Sequence, residues 1–300
     1  MRSDPHIDSA LHCRAARRVV LLCTLLLVGL LGGCSAIRTV YNQAEHVIAW
    51  RADDYFDLTE DQKRLLRTHL ERLHAWHRTT QLRNYASLLD AADRRLSDGP
   101  NMPDVRWALA EIRQHSRTFL LHSHADIAAL LATLTDAQIA HAKRRFDRDN
   151  RRFARERGVG AAPEEQRRLR AKRVLESIEH WSGPLDSEQQ ARIAALSETL
   201  PPDAAFRMHD RLRRQRDFLS VLEARKEEER FAMRLRVWLV DWDASRPPGV
   251  EAEASRYTEA YSKMLLQVFD DLRPDQRRRV SERLRWYRDV MRDLALDRRH

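Results

Sequence analysis

Residues that break helices are scarce in this sequence, which has eight glycines and ten prolines among 300 residues. Downstream of residue 34 they fall into six short clusters, and the long intervals between the clusters contain neither residue. Proline breaks a helix because it lacks an amide donor and clashes with the preceding turn, and glycine is favoured just past a helix end. Sustained alternation of apolar and polar residues is also lacking, which argues against a β-sandwich or a barrel.

Recognisable catalytic motifs are absent as well. The sequence has no Gly-rich phosphate loop, no Gly-x-Ser-x-Gly and no Cys-x-x-Cys. We therefore predict a non-enzymatic protein with no catalytic, cofactor-binding or metal-binding residues. Because scattered Asp, Glu and His side chains can converge in a fold, the alternative is an enzyme that acts on cell-wall or lipid material through such a cluster.

Cysteine occurs only three times, and the last one ends a short apolar segment. Basic residues precede the 13 apolar positions Val19–Leu31, which are too few to span a bilayer as a helix. The segment continues into Leu-Gly-Gly-Cys, with the cysteine at position 34. This pattern resembles a bacterial lipobox, which implies that residues 1–33 are a cleaved signal peptide and that Cys34 is lipidated. An ordinary secretory signal or membrane anchor is the alternative.

The lipobox predicts where in the cell the protein is located and what class of partner it has. Acyl chains on Cys34, palmitate among them, would hold the protein on a membrane. By resemblance to sorted lipoproteins, Ser35 favours the outer membrane and a periplasm-facing body over the inner membrane. The net charge of +9 comes mostly from arginine, and in this compartment it favours an envelope protein or an anionic cell-wall or lipid partner over nucleic acid.

Apolar residues recur every three or four positions within the intervals, for example Phe231, Leu235, Trp238 and Trp242. This spacing predicts an all-α fold without sheet, an elongated antiparallel bundle of about nine helices. We place the signal peptide at 1–33, an N-terminal helical part at 34–157, a linker at 158–163 and a C-terminal part at 164–300, and we favour one continuous bundle. The predicted helices are 36–56, 59–97, 103–132, 135–157, 163–181, 186–199, 202–243, 250–270 and 274–297.

One phrase occurs four times, each time before a predicted helix. The copies are LTEDQ from Leu58, LTDAQ from Leu134, LDSEQ from Leu185 and LRPDQ from Leu272. A candidate N-cap stands three residues before each glutamine, which is the spacing of a capping box. Arg273 is a poor cap in the fourth copy. The phrase therefore predicts four helix starts, and helix capping is sufficient to explain it.

Two resemblances accompany the phrase. Leu-Thr-x-x-Gln is the signature of the LTxxQ-motif periplasmic proteins, which include an envelope-stress chaperone and an inhibitor of a stress-sensing kinase. Residues 41–62 and 73–89 resemble proteobacterial lipoproteins known as a domain of unknown function. This second resemblance implies a helical lipoprotein and supplies no activity. Its shared residues are Tyr41-Asn42-Gln43, Trp50, Asp54-Tyr55, Trp76-His77-Arg78 and Tyr85-Ala86.

Several residues were weighed as sites. Glu71, His74 and His77 have the spacing of a bundle metal site, but a second Glu-x-x-His is missing, so surface or half-buried histidines are favoured. The seven tryptophans are expected mainly in the core. The arginine-rich run 144–157 is expected to be a solvated helix face. The first helix, 36–56, is expected to pack on the bundle rather than lie on the bilayer. We predict a protein that binds or scaffolds envelope components, and a chaperone-like role is one form of this prediction.

Overall fold

The computed structural model describes residues 37–242 and 246–297. The chain divides into two units, residues 1–47 and residues 48–300. Helices account for 86% of the structure and no strand occurs among the described residues, which confirms the all-α prediction. No helix in the described ranges combines the length and apolar character needed to cross a membrane. The hypothesis of two parts joined at 158–163 stays a prediction.

Eleven α-helices and one π-helical turn form the described part of the chain. Residues 37–42 are also helical. The α-helices are α1 Ala44–Phe56, α2 Glu60–Trp76, α3 Leu82–Ser97, α4 Met102–Ala132, α5 Asp136–Arg157, α6 Pro163–Ser182, α7 Ser187–Glu198, α8 Ala204–Glu223, α9 Glu228–Val240, α10 Pro248–Asp271 and α11 Pro274–Leu296, and the π-turn is His77–Gln81.

The helix count exceeds nine partly because the predicted helix 202–243 is two helices, α8 and α9. The break at residues 224–227 contains neither glycine nor proline. It turns the buried Arg225 toward the start of α5, where its guanidinium donates to the Leu134 carbonyl at 2.8 Å and pairs with Asp136. The same side chain donates to the Leu222 carbonyl at 3.1 Å. A tertiary contact, rather than a local breaker, therefore ends α8.

We expect Arg225→Met to lower the free energy of unfolding by about 2–4 kcal/mol, because the buried carbonyls of Leu134 and Leu222 lose their donor. Urea denaturation followed by circular dichroism measures this. The control is Lys226→Met, which removes the neighbouring exposed charge and should change stability by less than about 0.5 kcal/mol. Equal effects of the two substitutions would contradict this role of Arg225.

The other long predicted helix, 59–97, is continuous but contains the π-turn. Hydroxyl groups of Thr79 and Thr80 donate to the carbonyls of Ala75 at 2.9 Å and Trp76 at 2.6 Å, competing with the regular ladder there. The turn buries Arg78, whose guanidinium donates to the Leu294 carbonyl at 3.4 Å. A cation is stabilised at this end of α11 by the helix dipole.

Helices α3 and α11 run antiparallel. Along α3 and α11, Arg285 pairs with Asp93 at 2.7 Å and Arg288 with Asp90 at 3.0 Å, so rising numbers on one helix meet falling numbers on the other. Two clusters of buried apolar side chains fill the interior. One lies among α2, α4, α8 and α9 and the other among α6, α7 and α10.

The first two copies of the repeated phrase form a pair. Gln62 and Gln138 are buried, and each side-chain amide donates to the other's oxygen, at 3.2 and 2.7 Å. Each glutamine also accepts from the backbone N–H of its own cap, and each donates to the carbonyl just before its partner's leucine, Thr133 at 3.0 Å and Asp57 at 2.8 Å. The predicted capping boxes are therefore confirmed, and they also join α2 to α5.

The third and fourth copies form a second pair with the same connections. Gln189 and Gln276 exchange hydrogen bonds at 2.8 and 3.0 Å, and Gln276 donates to the Pro184 carbonyl at 2.9 Å. Arg273 is not a conventional cap, yet its backbone N–H still donates to Gln276 at 3.0 Å and its guanidinium binds Asp186 at 2.5 Å. The leucines of the first pair lie in one core cluster and those of the second pair in the other.

Candidate functional site

A cavity of about 780 Å³ lies between α1, α4, α5, α8, α9 and α10. Its volume falls within the range of small-molecule sites, roughly 300–1,000 Å³. Six arginines line it, namely Arg113, Arg157, Arg207, Arg211, Arg214 and Arg246. Nine aromatic residues share the walls, namely Tyr55, Phe56, Phe146, Phe153, Phe206, Phe218, Trp238, Trp242 and Tyr257. We call this the arginine cavity.

Several arginines lie against these rings. The Arg214 guanidinium is 5.2 Å from the Trp238 ring centre and 5.0 Å from that of Trp242, and Arg246 is 4.5 Å from Trp242. Arg211 lies 5.3 Å from Phe153. Such cation–π contacts hold a guanidinium in place while leaving its N–H groups able to bind an anion.

Among the described lining residues of the cavity, positive charge exceeds negative charge. Asp210 is the one carboxylate among the described lining residues, and it pairs with Arg213 at 2.7 Å and with Arg246 at 3.7 Å. Within the described part of the chain, the Arg214 side chain makes ring contacts but no hydrogen bond or ion pair. Burial lowers the pKa of Arg214, and the charges of Arg213 and Arg246 lower it further despite Asp210. The cavity is therefore electrostatically suited to an anion.

The helical period explains how one short segment supplies much of the cavity. Arg207, Arg211 and Arg214 stand at i, i+4 and i+7 on α8, so they share one face. Sequence reasoning missed these residues. The arginine spacing, with Phe206 and Phe218 at the two ends, is a signal that could have found them, but an identical pattern occurs on solvated helices.

The arginine cavity offers binding groups rather than an acid–base pair. Its described lining contains one carboxylate and no histidine, whereas general acid–base chemistry usually needs a titratable group near neutrality or two carboxylates with separated pKa values. The His/Asp/Glu cluster that the enzyme alternative requires does not lie in this cavity.

The three residues with metal-site spacing, which were not predicted to bind metal, lie outside the arginine cavity. Glu71 is exposed, His74 is buried, and the His77 ring sits between Tyr85 and Phe119, with centre distances of 5.4 and 5.9 Å. Across the described ranges no group of three or more His, Cys, Asp or Glu side chains is placed to hold a metal ion. His77 instead joins the π-turn to α3 and α4 through ring contacts.

His77 should make the fold sensitive to mild acid. Burial, with the nearby His74, lowers the pKa of His77 from 6.5 to about 4. The unfolded chain then takes up the proton first, so stability is complete above the unfolded pKa and falls as the pH drops toward the folded one. We expect His77→Phe to remove about 2 kcal/mol of the loss in unfolding free energy between pH 7 and pH 5.

Urea denaturation of both proteins at the two pH values measures the His77 effect. The matched control is His209→Phe, because His209 is exposed on α8. The assignment is wrong if His77→Phe leaves the pH dependence of wild type intact.

Two residues of the family resemblance, Asp54 and Tyr55, hold α1 against α5 beside the arginine cavity. The Tyr55 hydroxyl donates to Asp149, and Arg145 pairs with Asp54 at 3.0 Å and with Asp149 at 3.6 Å. Burial raises the pKa of Asp149, but the Tyr55 hydrogen bond and the arginine charges outweigh it and leave the pKa below its usual value. The run 144–157 is therefore not only a solvated face.

The tryptophans are mostly half-buried rather than in the core. Trp238 packs against the first core cluster and lines the arginine cavity with Trp242. Trp50 is 64% exposed. On α1 itself no residue is fully buried, although Ala52 and Phe56 pack against the first core cluster. The predicted signal peptide and Cys34 lie outside the described residues.

Comparisons with known proteins identify a family but no activity. The model of DUF6279, a family of unknown function, matches residues 54–248, more than half of the chain. The match includes α8, which carries Arg207, Arg211 and Arg214. No curated protein and no solved structure matches the chain.

Proposed function

The chain belongs to the DUF6279 family of unknown function, and we propose that it is a lipid-anchored envelope protein that binds an anionic amphiphile in the arginine cavity. In this proposal Cys34 carries the acyl chains, and the body faces the periplasm from the outer membrane. The observation that carries the binding proposal is the cavity itself, which combines six arginines, nine aromatic residues and a single carboxylate among its described lining.

The ligand class follows from the two kinds of wall. Guanidinium groups bind phosphate or carboxylate through charge-assisted hydrogen bonds, which are stronger than neutral ones. The phenyl and indole rings offer apolar surface to the rest of the ligand. Inorganic anions would use only the first kind of wall and neutral lipids only the second. An acyl chain with an anionic headgroup uses both, and such molecules are abundant where a lipid anchor would place the protein.

The address proposal rests on the lipobox, and α1 is compatible with it. Ile48 and Trp50 are large apolar side chains exposed on this helix, 45% and 64% respectively. Tryptophan is favoured at the membrane–water interface. Labelled palmitate should enter the wild-type protein and not the Cys34→Ser variant, which should also leave the outer-membrane fraction. Equal labelling of the two proteins would overturn the address.

Binding is tested with lysolipids whose acyl chains carry bromine, because bromine in the cavity would quench Trp238 and Trp242. The full-length protein in non-ionic micelles should be quenched more by brominated lysophosphatidylglycerol than by brominated lysophosphatidylcholine of the same chain length. Added salt should weaken the difference because it screens charge. Replacing Trp238 and Trp242 by phenylalanine should remove it. Equal quenching of the wild-type protein by the two brominated lysolipids would contradict the binding proposal.

A chaperone-like role is the second candidate. Large apolar side chains are exposed on α4 and α9, including Ile112 at 56% and Met233 at 63%. Such side chains can bind unfolded segments when they form a patch. Suppression of aggregation of a model client is the measurement, and no suppression at a several-fold molar excess would remove this candidate.

A further inference from the structure

A second group of arginines lies beside the arginine cavity. Arg157, Arg170, Arg173 and Arg207 line an adjoining cavity of about 410 Å³. Arg157 and Arg207 belong to both cavities, as do Leu109, Tyr257 and Thr258. The two cavities therefore share a wall of five residues, in which Arg157 and Arg207 stand beside Leu109, Tyr257 and Thr258.

Negative charge in the second group is limited to one side chain. Asp203 is buried and pairs with Arg207 at 2.8 Å and with Arg157 at 3.6 Å. The described lining of the adjoining cavity contains no carboxylate. Among the described residues, one carboxylate therefore accompanies four arginines and pairs with two of them.

The other two arginines are held by backbone carbonyls. Arg170 is buried and donates to Ser197 at 3.0 Å, and Arg173 donates to Glu156 at 3.2 Å. Burial lowers the pKa of Arg173 and the nearby Arg157 lowers it further, which is the same direction as for Arg214 in the arginine cavity. Carbonyl partners fix these two guanidinium groups without neutralising them, so the adjoining cavity keeps uncompensated positive charge.

We propose that the two cavities form one binding site with two anion subsites, and that its ligand carries two separated phosphate or carboxylate groups on an apolar body. The first subsite consists of Arg211 and Arg214, together with Arg246, whose guanidinium also pairs with Asp210 at 3.7 Å and with Glu251 at 2.9 Å. The second consists of Arg170 and Arg173 with the shared Arg157 and Arg207. This inference rests on the proposed function of the arginine cavity, and it adds the number and separation of the ligand's charges.

A purely structural role for the second group is the competing explanation. Four arginines around Asp203 could serve only to hold α5, α6 and α8 together. In that case a second anionic group on the ligand would add no affinity, because the guanidinium N–H groups would all be engaged within the protein.

The probes are alkane bisphosphates of increasing chain length, with one phosphate at each end, and alkyl monophosphates of the same lengths. Calorimetry on the full-length protein measures both series. At the best length we expect the bisphosphate to bind at least about tenfold more tightly than its monophosphate, since each charge-assisted contact contributes a factor of this order. A bisphosphate of equal length with an ethylene-glycol spacer should bind more weakly, which distinguishes a lipid-like ligand from a polar cell-wall fragment.

The variant is Arg173→Gln, because Arg173 is only half-buried and the helix should tolerate it. It should abolish the advantage of the bisphosphate while leaving monophosphate affinity within about twofold of wild type. Arg173→Lys should restore part of the advantage, and circular dichroism confirms that each variant folds. Equal affinity of the two series for wild type, or an equal loss of both in Arg173→Gln, overturns the two-subsite inference alone. Failure of both series to bind wild type overturns the proposed function as well.

Discussion

Gln62→Leu is expected to lower the free energy of unfolding by about 3 kcal/mol, and Gln138→Leu by a similar amount. Each substitution removes the acceptor of a cap N–H and breaks the two hydrogen bonds that join the glutamine to the buried partner amide. For example, Gln62 donates to the Thr133 carbonyl at 3.0 Å and accepts from the Thr59 N–H at 2.9 Å. Urea denaturation with linear extrapolation measures the change.

The double variant distinguishes a glutamine pair from two independent caps. If the amides stabilise each other, Gln62→Leu with Gln138→Leu should cost at least about 1 kcal/mol less than the sum of the single changes. Gln114→Leu is the matched control, because Gln114 is exposed on α4 and the substitution should stay within about 0.5 kcal/mol. Strict additivity of the two motif glutamines would show that they act only as caps.

Arg214→Met should weaken binding of the anionic lysolipid by at least about tenfold and raise the free energy of unfolding by about 1 kcal/mol. The loss of affinity and the gain in unfolding free energy have the same cause. The Arg214 guanidinium is half-buried against Trp238 and Trp242, where its charge is poorly compensated. Methionine keeps much of the apolar contact and removes the cost of the charge, but it cannot bind an anion.

The control for this pair of effects is Arg216→Met. Arg216 lies two residues further along α8, carries the same charge and is exposed, so its replacement should change neither binding nor stability appreciably. Bromine quenching and urea denaturation are measured on the same preparations. A variant at position 214 that binds as tightly as wild type would contradict the role given to this arginine, and a loss of stability would show that the residue is structural.

Local sequence rules predicted the helix starts because capping depends on residues within one turn. Thr59, Thr135 and Asp186 cap their helices as expected, with the glutamine three positions on. The same rules could not show that Gln62 meets Gln138, since the partners are far apart in the chain and the pairing exists only after α2 and α5 pack. The capping explanation was correct but incomplete.

The sequence predicted neither the break between α8 and α9 nor the arginine cavity, and the reason is related. Arg225 ends α8 through contacts at the start of α5, and the sequence around it contains neither glycine nor proline. Arg207, Arg211 and Arg214 have the spacing of a solvated face. Only the packing of α1, α4, α5, α9 and α10 around that face converts it into the wall of a cavity.

The sequence by itself determined that the chain is all-helical, where glycine and proline interrupt it, and where four helices start. It could do so because helix-breaking residues, helical periodicity and capping residues each act over a few positions. The tertiary structure decided which helix starts pair, where a helix without a breaker ends, and which arginines line a cavity. This placement matters for the function that we propose, since a guanidinium in water binds anions weakly, whereas one held on an aromatic ring in a cavity binds them more strongly.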